Sequence, residues 1–151
     1  MRLILLLLML AGPAFACPAP PNLAATQMAL IQAINAERRT RGLTLLIHSP
    51  ALAKAAQSLA CDNAARRTVS HSGADGSTLA SRLAAQGFRF AAAAENAAAG
   101  YPDPVAVTKG WMTSPAHRRY ILNPALRQIG AGVAAAGDGQ LHWVIDLGTP
   151  G

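Results

Sequence analysis

The chain has 151 residues, of which 52% are hydrophobic and 13% charged, and its formal net charge is +6. That is the size and composition of one domain with a substantial apolar core. The positive balance comes from scarce acids, not clustered bases. The arginines stand in separate pairs (Arg38-Arg39, Arg66-Arg67, Arg118-Arg119) without interleaved aromatics, which argues against a nucleic-acid partner.

In chain order, residues 1–16 read as a secretory signal peptide. Arg2 supplies a positive start, and Leu3 to Ala11 is an apolar run too short to span a bilayer. Gly12-Pro13 breaks it, and Ala14-Phe15-Ala16 is a small-residue cleavage site. A short membrane anchor is the competing reading. Cleavage leaves a single domain, 17–151, destined for a secreted or periplasmic location and with no transmembrane segment of its own. Removal of Arg2 lowers the net charge from +6 to +5. An oxidising compartment favours a disulfide between the two cysteines, Cys17 and Cys61. Lipidation of Cys17 is the rival, but Ala-Phe-Ala is a poor lipoprotein signal and Cys61 would be left over.

Pro-rich residues 18–22 make a stiff entry. The apolar spacing of Leu23, Ala24, Met28, Leu30, Ile31 and Ile34 predicts a helix from about Asn22 to Arg41. Asn35 falls on its buried face and should be hydrogen-bonded inside. Glu37 and Arg41 should pair on the wet side, and Gly42 should end the helix. Ser49-Pro50, Asp103-Pro104 and Ser114-Pro115 each set a capping side chain before a proline, so helices should begin at 50, 104 and 115. The first of these buries Leu52, Ala55, Ala56 and Leu59, with Cys61 on the opposite face. Asp75-Gly76-Ser77 should open another helix, carrying Leu79 and Leu83 and closed by Gly87. Residues 88–98 should be short and partly extended, although their alanines favour helix. Gln128–Ala135 and Gln140–Leu147 flank Gly137-Asp138-Gly139, a hairpin signal. Leu141, Trp143, Ile145 and Leu147 should share one face of its second strand. Gly and Ala in the first strand should let a helix pack close. The fold class is α+β, with helices around a small antiparallel sheet.

Four histidines are present. His48, in a loop before a cap, and His142, on a strand, have ordinary structural readings. His71 lies in a polar turn, VSHSGADGS. His117 is the third residue of the helix capped by Ser114, where the positive helix end should keep its imidazole neutral near pH 7. Trp111 and Met112 should give it an apolar wall. Glu95 and Asn96 sit in an alanine-rich stretch, and the only other glutamate is Glu37.

The order of seven segments is distinctive: INAERRTRGLTLL, ALAKAAQSLA, VSHSGADGSTLASRL, AENAAAG, WMTSPAHRRYIL, IGAGVA and LHWVIDLG. Together they resemble the CAP superfamily of cysteine-rich secretory, antigen 5 and pathogenesis-related proteins, in its short bacterial SCP-domain form. The resemblance covers residues 25–148. It implies an α-β-α sandwich with a central antiparallel sheet and a cleft carrying two histidines and acidic residues. The family's Ser-His motif falls on Ser70-His71, its Glu-Asn motif on Glu95-Asn96, and its second cleft histidine on His117. Many relatives have a further glutamate where this chain has Ser114.

His71, Glu95 and His117 with a water would make an open site for a divalent metal such as zinc, and the same residues would serve equally as a polar cleft without metal. Two functions follow. One is a secreted module binding a small-molecule, lipid, peptide or envelope ligand, acting as a monomer; no G-x-S-x-G elbow or H-E-x-x-H helix is present. The other is a metal-assisted extracellular hydrolase or protease, with His71, Glu95 and His117 acidifying a bound water. A structural envelope domain with an unused cleft is the third reading.

Overall fold

The computed structural model describes residues 17–151. The signal-peptide assignment of 1–16 lies outside the described residues. Helix α1 spans Leu23–Arg39, and the short strand β1 spans Ile47–His48. Helices α2 (Pro50–Arg66) and α3 (Leu79–Ala85) follow, then β2 (Phe90–Ala99). Helices α4 (Pro104–Thr113) and α5 (Pro115–Ile121) lead into the hairpin of β3 (Gln128–Ala135) and β4 (Leu141–Pro150).

The four strands are ordered β1-β3-β4-β2. The β3–β4 pair is antiparallel, as the hairpin signal required, and so is the β4–β2 pair. β1 is parallel to β3. His48, expected in a loop, therefore lies in this two-residue strand; such a short pairing leaves no periodic trace in sequence.

Successive side chains on a strand point to opposite faces. On one face Trp143, Ile145 and Leu147 pack with Ala94 and with Leu30, Ile34 and Trp111 of α1 and α4. On the other face Val144, Ala97 and Ala134 pack against Ala56, Leu59 and Ala60 of α2. Leu52, Leu83 and Phe88 continue this second core toward α3. The result is the expected α-β-α sandwich. A Cβ at Gly130 would collide with the backbone of Leu52 and Ala53, and one at Gly132 with that of Ala56. These two glycines let α2 lie directly on β3.

Local signals mostly act as the sequence predicts. Asn35 Nδ2 donates to Leu46 O (3.0 Å), and its Oδ1 accepts from Leu46 N (2.8 Å). Arg41 meets Glu37 at 2.8 Å. Gly42 leaves α1 with φ +67°, and Leu43 N donates to Arg38 O across the turn. Ser49 and Asp103 accept from Leu52 N and Ala106 N.

Two starts differ. Asp75–Ser77 forms a turn, and α3 begins later, where Thr78 and Ser81 make a reciprocal capping box. At α5 the Ser114 side chain caps no backbone N–H; His117 takes its hydroxyl instead. Cys17 and Cys61 form a disulfide, so the Cys17 sulfur that lipidation would need is bonded to Cys61. The adjacent Pro18 O accepts from Ala135 N at 2.8 Å, fastening the entry segment to β3.

Candidate functional site

The site is organised around Glu95 on β2. Glu95 is buried at 6% exposure. Its Oε1 lies 2.7 Å from His71 Nδ1 and its Oε2 lies 2.5 Å from an Arg82 Nη. Both oxygens of the carboxylate are therefore engaged. The His71 side chain is 61% exposed, so the pair runs from the interior to the surface. Arg82 also donates to His71 O (3.2 Å) and Ser77 O (3.0 Å), holding the 71–77 turn against β2. Asn63 Nδ2 donates to Ser70 O, and Arg66 donates to Ser72 O, tying the same turn to α2.

Beneath Glu95 lies a second acid. Antiparallel register sets Glu95 opposite Asp146 of β4, so the two side chains share one face. Asp146 is fully buried, and among the described residues neither carboxyl oxygen has a hydrogen-bond partner. Burial, followed by the neighbouring Glu95, pushes its pKa well above the usual carboxylate range; Arg82 opposes this. A protonated Asp146 turns an unmatched acceptor into a donor for Glu95.

The Glu95 contact is the main force raising the pKa of His71. His117 moves the other way, lowered by burial and then by the charge of His71. This is the direction expected from its place at a helix start, but burial and His71 are its causes. His117 Nδ1 is 2.9 Å from Ser114 Oγ, and His117 O accepts from Asn96 Nδ2 at 3.1 Å.

A cleft of about 400 Å³ opens beside this assembly. His71, Ser72, Thr78 and Leu79 form one wall, Tyr120 the other, and Ala93, Ala94 and Glu95 the floor. His71 and Glu95, which come from two separate motifs, thus meet directly. His117 is joined to them through Asn96 and through its electrostatic coupling to His71. Asn96 is fully buried and serves as the clamp between β2 and α5. The Ser70 hydroxyl is used within its own turn, donating to Ser72 O and accepting from Ser72 N. Trp111, expected to wall His117, belongs to the core and donates its indole N–H to Ala97 O (3.4 Å).

Sequence reasoning missed Arg82, Asp146 and Tyr120. A signal existed for two of them. Arg82 falls on the apolar face of α3, beside Leu79 and Leu83. Asp146 alternates with Val144 on a buried strand face. A charge at a core position needs a partner, and each of these sits at one.

The residues as arranged do not make the three-ligand metal site. No group of three His, Cys, Asp or Glu side chains able to hold a metal stands together among the described residues. The Glu95 oxygens are held by His71 and Arg82, and His117 Nδ1 faces Ser114.

Comparison with known proteins fits this geometry. The family model described as "Cysteine-rich secretory protein family", CAP, matches residues 31–147. The chain belongs to the CAP family. YkwD of Bacillus subtilis (strain 168) is 31% identical over 119 residues, 79% of this chain but only 46% of YkwD's length. An extracellular SCP-domain protein from Bacillus anthracis superposes with TM-score 0.75 at 25% identity, covering 88% of this chain and 45% of that one. An outer surface protein of Borrelia burgdorferi superposes with TM-score 0.73 at 25% identity, covering 82% and 92%. This CAP domain thus shares its fold with proteins described as extracellular or surface-located. Its disulfide is consistent with secretion. No helix among the described residues is long and apolar enough to cross a membrane.

Proposed function

We propose that this chain is an exported ligand-binding domain whose cleft, between His71 and Tyr120, recognises a small-molecule, lipid, peptide or envelope ligand. The observation that carries the reading is the double engagement of Glu95 by His71 and Arg82. A buried carboxylate held at both oxygens fixes the exposed His71 in place as a preorganised recognition element. It is a poor general base, because taking a proton breaks a buried pair with Arg82. The half-apolar cleft, with Leu79, Ala93, Ala94 and Tyr120 around a few polar groups, has the composition of a small-ligand site.

Metal-assisted hydrolysis is the competing chemistry. It requires Glu95 to exchange its present contacts for a metal ion, with His71 and His117 supplying nitrogens. Calorimetric titration of zinc into the metal-stripped 17–151 chain, beside His117→Ala, separates the two. The binding-module reading expects no tight one-to-one zinc uptake; tight uptake lost in His117→Ala overturns it. The positive test uses NMR of the His71 and Tyr120 rings with palmitate, a muropeptide digest and a capped-peptide library as probes. A saturable shift from at least one probe is expected. It should persist in folded Glu95→Gln, without turnover. Turnover abolished in that variant would make the domain an enzyme. Silence with all three probes would leave the cleft as an unused feature of a structural domain.

A further inference from the structure

The cleft lies on an unpaired strand edge, and this identifies a ligand chemistry. Among the described residues β2 is the last strand of the sheet and pairs only with β4. In an antiparallel ladder the residues that bond to the partner strand alternate with residues whose N–H and C=O point away. Gly100 N donates to Leu141 O, so the even-numbered residues Ala98, Asn96 and Ala94 are the ones that bond β4. The backbone groups of Ala97, Glu95 and Ala93 must point to the free edge. Ala97 agrees, because its carbonyl receives the Trp111 indole. No backbone–backbone bond beyond the ladder engages Ala93 or Glu95 among the described residues.

The cleft opens at that edge. Ala93 packs with the α2/α3 side of the sheet and Ala94 with the α1/α4 side. One cavity touching both, and Glu95 as well, must straddle the edge between them. Two residues with outward N–H and C=O groups, about 6.8 Å apart along the strand, form a template for another extended backbone.

Charge narrows the class. Among the described residues Glu95 is the only acid lining the cleft, and its oxygens are taken by His71 and Arg82. The rim carries exposed His71 on one side. On the other, Arg119 lies 4.7 Å from the centre of the Tyr120 ring and donates to its hydroxyl. His71 gives its Nδ1 to Glu95 while its side chain stays largely exposed, and Arg119 has no carboxylate partner among the described residues. We propose that the cleft binds an extended acidic peptide segment as an added strand on β2. Its main chain pairs with Ala93 and Glu95, one side chain places a carboxylate at His71, and the next lies on Tyr120. This rests on the ligand-binding reading above and names its substrate class. Main-chain pairing supplies affinity and alternate side chains supply specificity, as in strand addition generally.

The test uses the 17–151 chain and a library of capped pentapeptides with a central glutamate. Binding should shift the His71 ring and slow hydrogen exchange at the Ala93 and Glu95 amides. N-methylating the bound peptide at the positions facing β2 should weaken binding about tenfold, the loss of one or two main-chain hydrogen bonds. Ala93→Pro deletes an outward N–H without touching the ladder to β4, a placement that edge strands tolerate, and should weaken binding similarly. A library that binds with no change at the Ala93 and Glu95 amides, or whose N-methylated forms bind equally, overturns strand addition while leaving the cleft a binding site. Binding of palmitate or muropeptides with none from the library does the same. Silence of the His71 and Tyr120 rings to every probe removes the ligand-binding reading with it.

Discussion

The two faces of β2 and β4 use the same backbone in opposite ways. Toward α1 and α4, β4 presents Trp143, Ile145 and Leu147, all essentially without solvent exposure. Toward α2 and α3, it presents His142, Val144 and Asp146, and β2 adds Glu95. These are buried just as deeply. The first face is held mainly by apolar contact, and its buried indoles donate to backbone carbonyls. The second holds one ion pair, a carboxyl that needs its proton, and a histidine whose two ring nitrogens have no partner. Burial depresses the pKa of that histidine, His142, so it is kept neutral. Depth of burial therefore does not separate structure from function here. What distinguishes the second face is that its polar groups reach the surface through His71, at the edge where the cleft opens.

Breaking each face should give different signatures. Trp143→Ala removes a fully buried indole and its hydrogen bond to Tyr101 O. It should cost about 4 kcal/mol in denaturant unfolding, with little dependence on pH. Arg82→Ala leaves Glu95 buried without its cation and frees the 71–77 turn. A loss of about 3 kcal/mol is expected, smallest in acid, where the orphaned carboxyl can be protonated. Equal losses at pH 4 and pH 8 would place Arg82 among ordinary packing residues.

Asp146→Asn sharpens the comparison with the smallest change. The folded pKa of Asp146 is raised above its ordinary value of 3.8. Its contribution is thus fully present below that value and is lost as pH rises through the folded pKa. Asparagine keeps a donor toward Glu95 and carries no proton to lose. The variant should match wild type within about 1 kcal/mol in acid and become the more stable of the two as pH rises. A variant less stable than wild type at every pH would show that Asp146 works as an ionised group. His71 and His117 add slopes of opposite sign. The raised pKa of His71 gives stability present below about 6.5 and lost as pH rises through the folded value. The lowered pKa of His117 gives stability present above 6.5 and lost as pH falls.

Much of this fold was legible in the chain itself because its determinants are local. Proline after a capping residue starts α2 and α4. Apolar spacing sets α1, and Gly137-Asp138-Gly139 turns the hairpin. The pairing of Glu95 with His71 was legible only through a resemblance that spans separate motifs, because 24 residues separate them. Ser114 shows where local rules give way: its proline-marked cap position is real, yet its hydroxyl goes to His117.

By itself, the sequence determined where α1, α2 and α4 lie, the β3–β4 hairpin and which faces are apolar, since hydrogen bonds and burial patterns over a few residues decide these; the two-residue β1 and the full length of the alanine-rich β2 left no such local mark. Only the tertiary structure decided that Arg82 closes on Glu95, that Asp146 lies beneath it, and that the free edge of β2 floors the cleft. The physical reason is register: a cross-strand partner and an unpaired edge are properties of where β2 docks on β4, and no residue of β2 records that position alone.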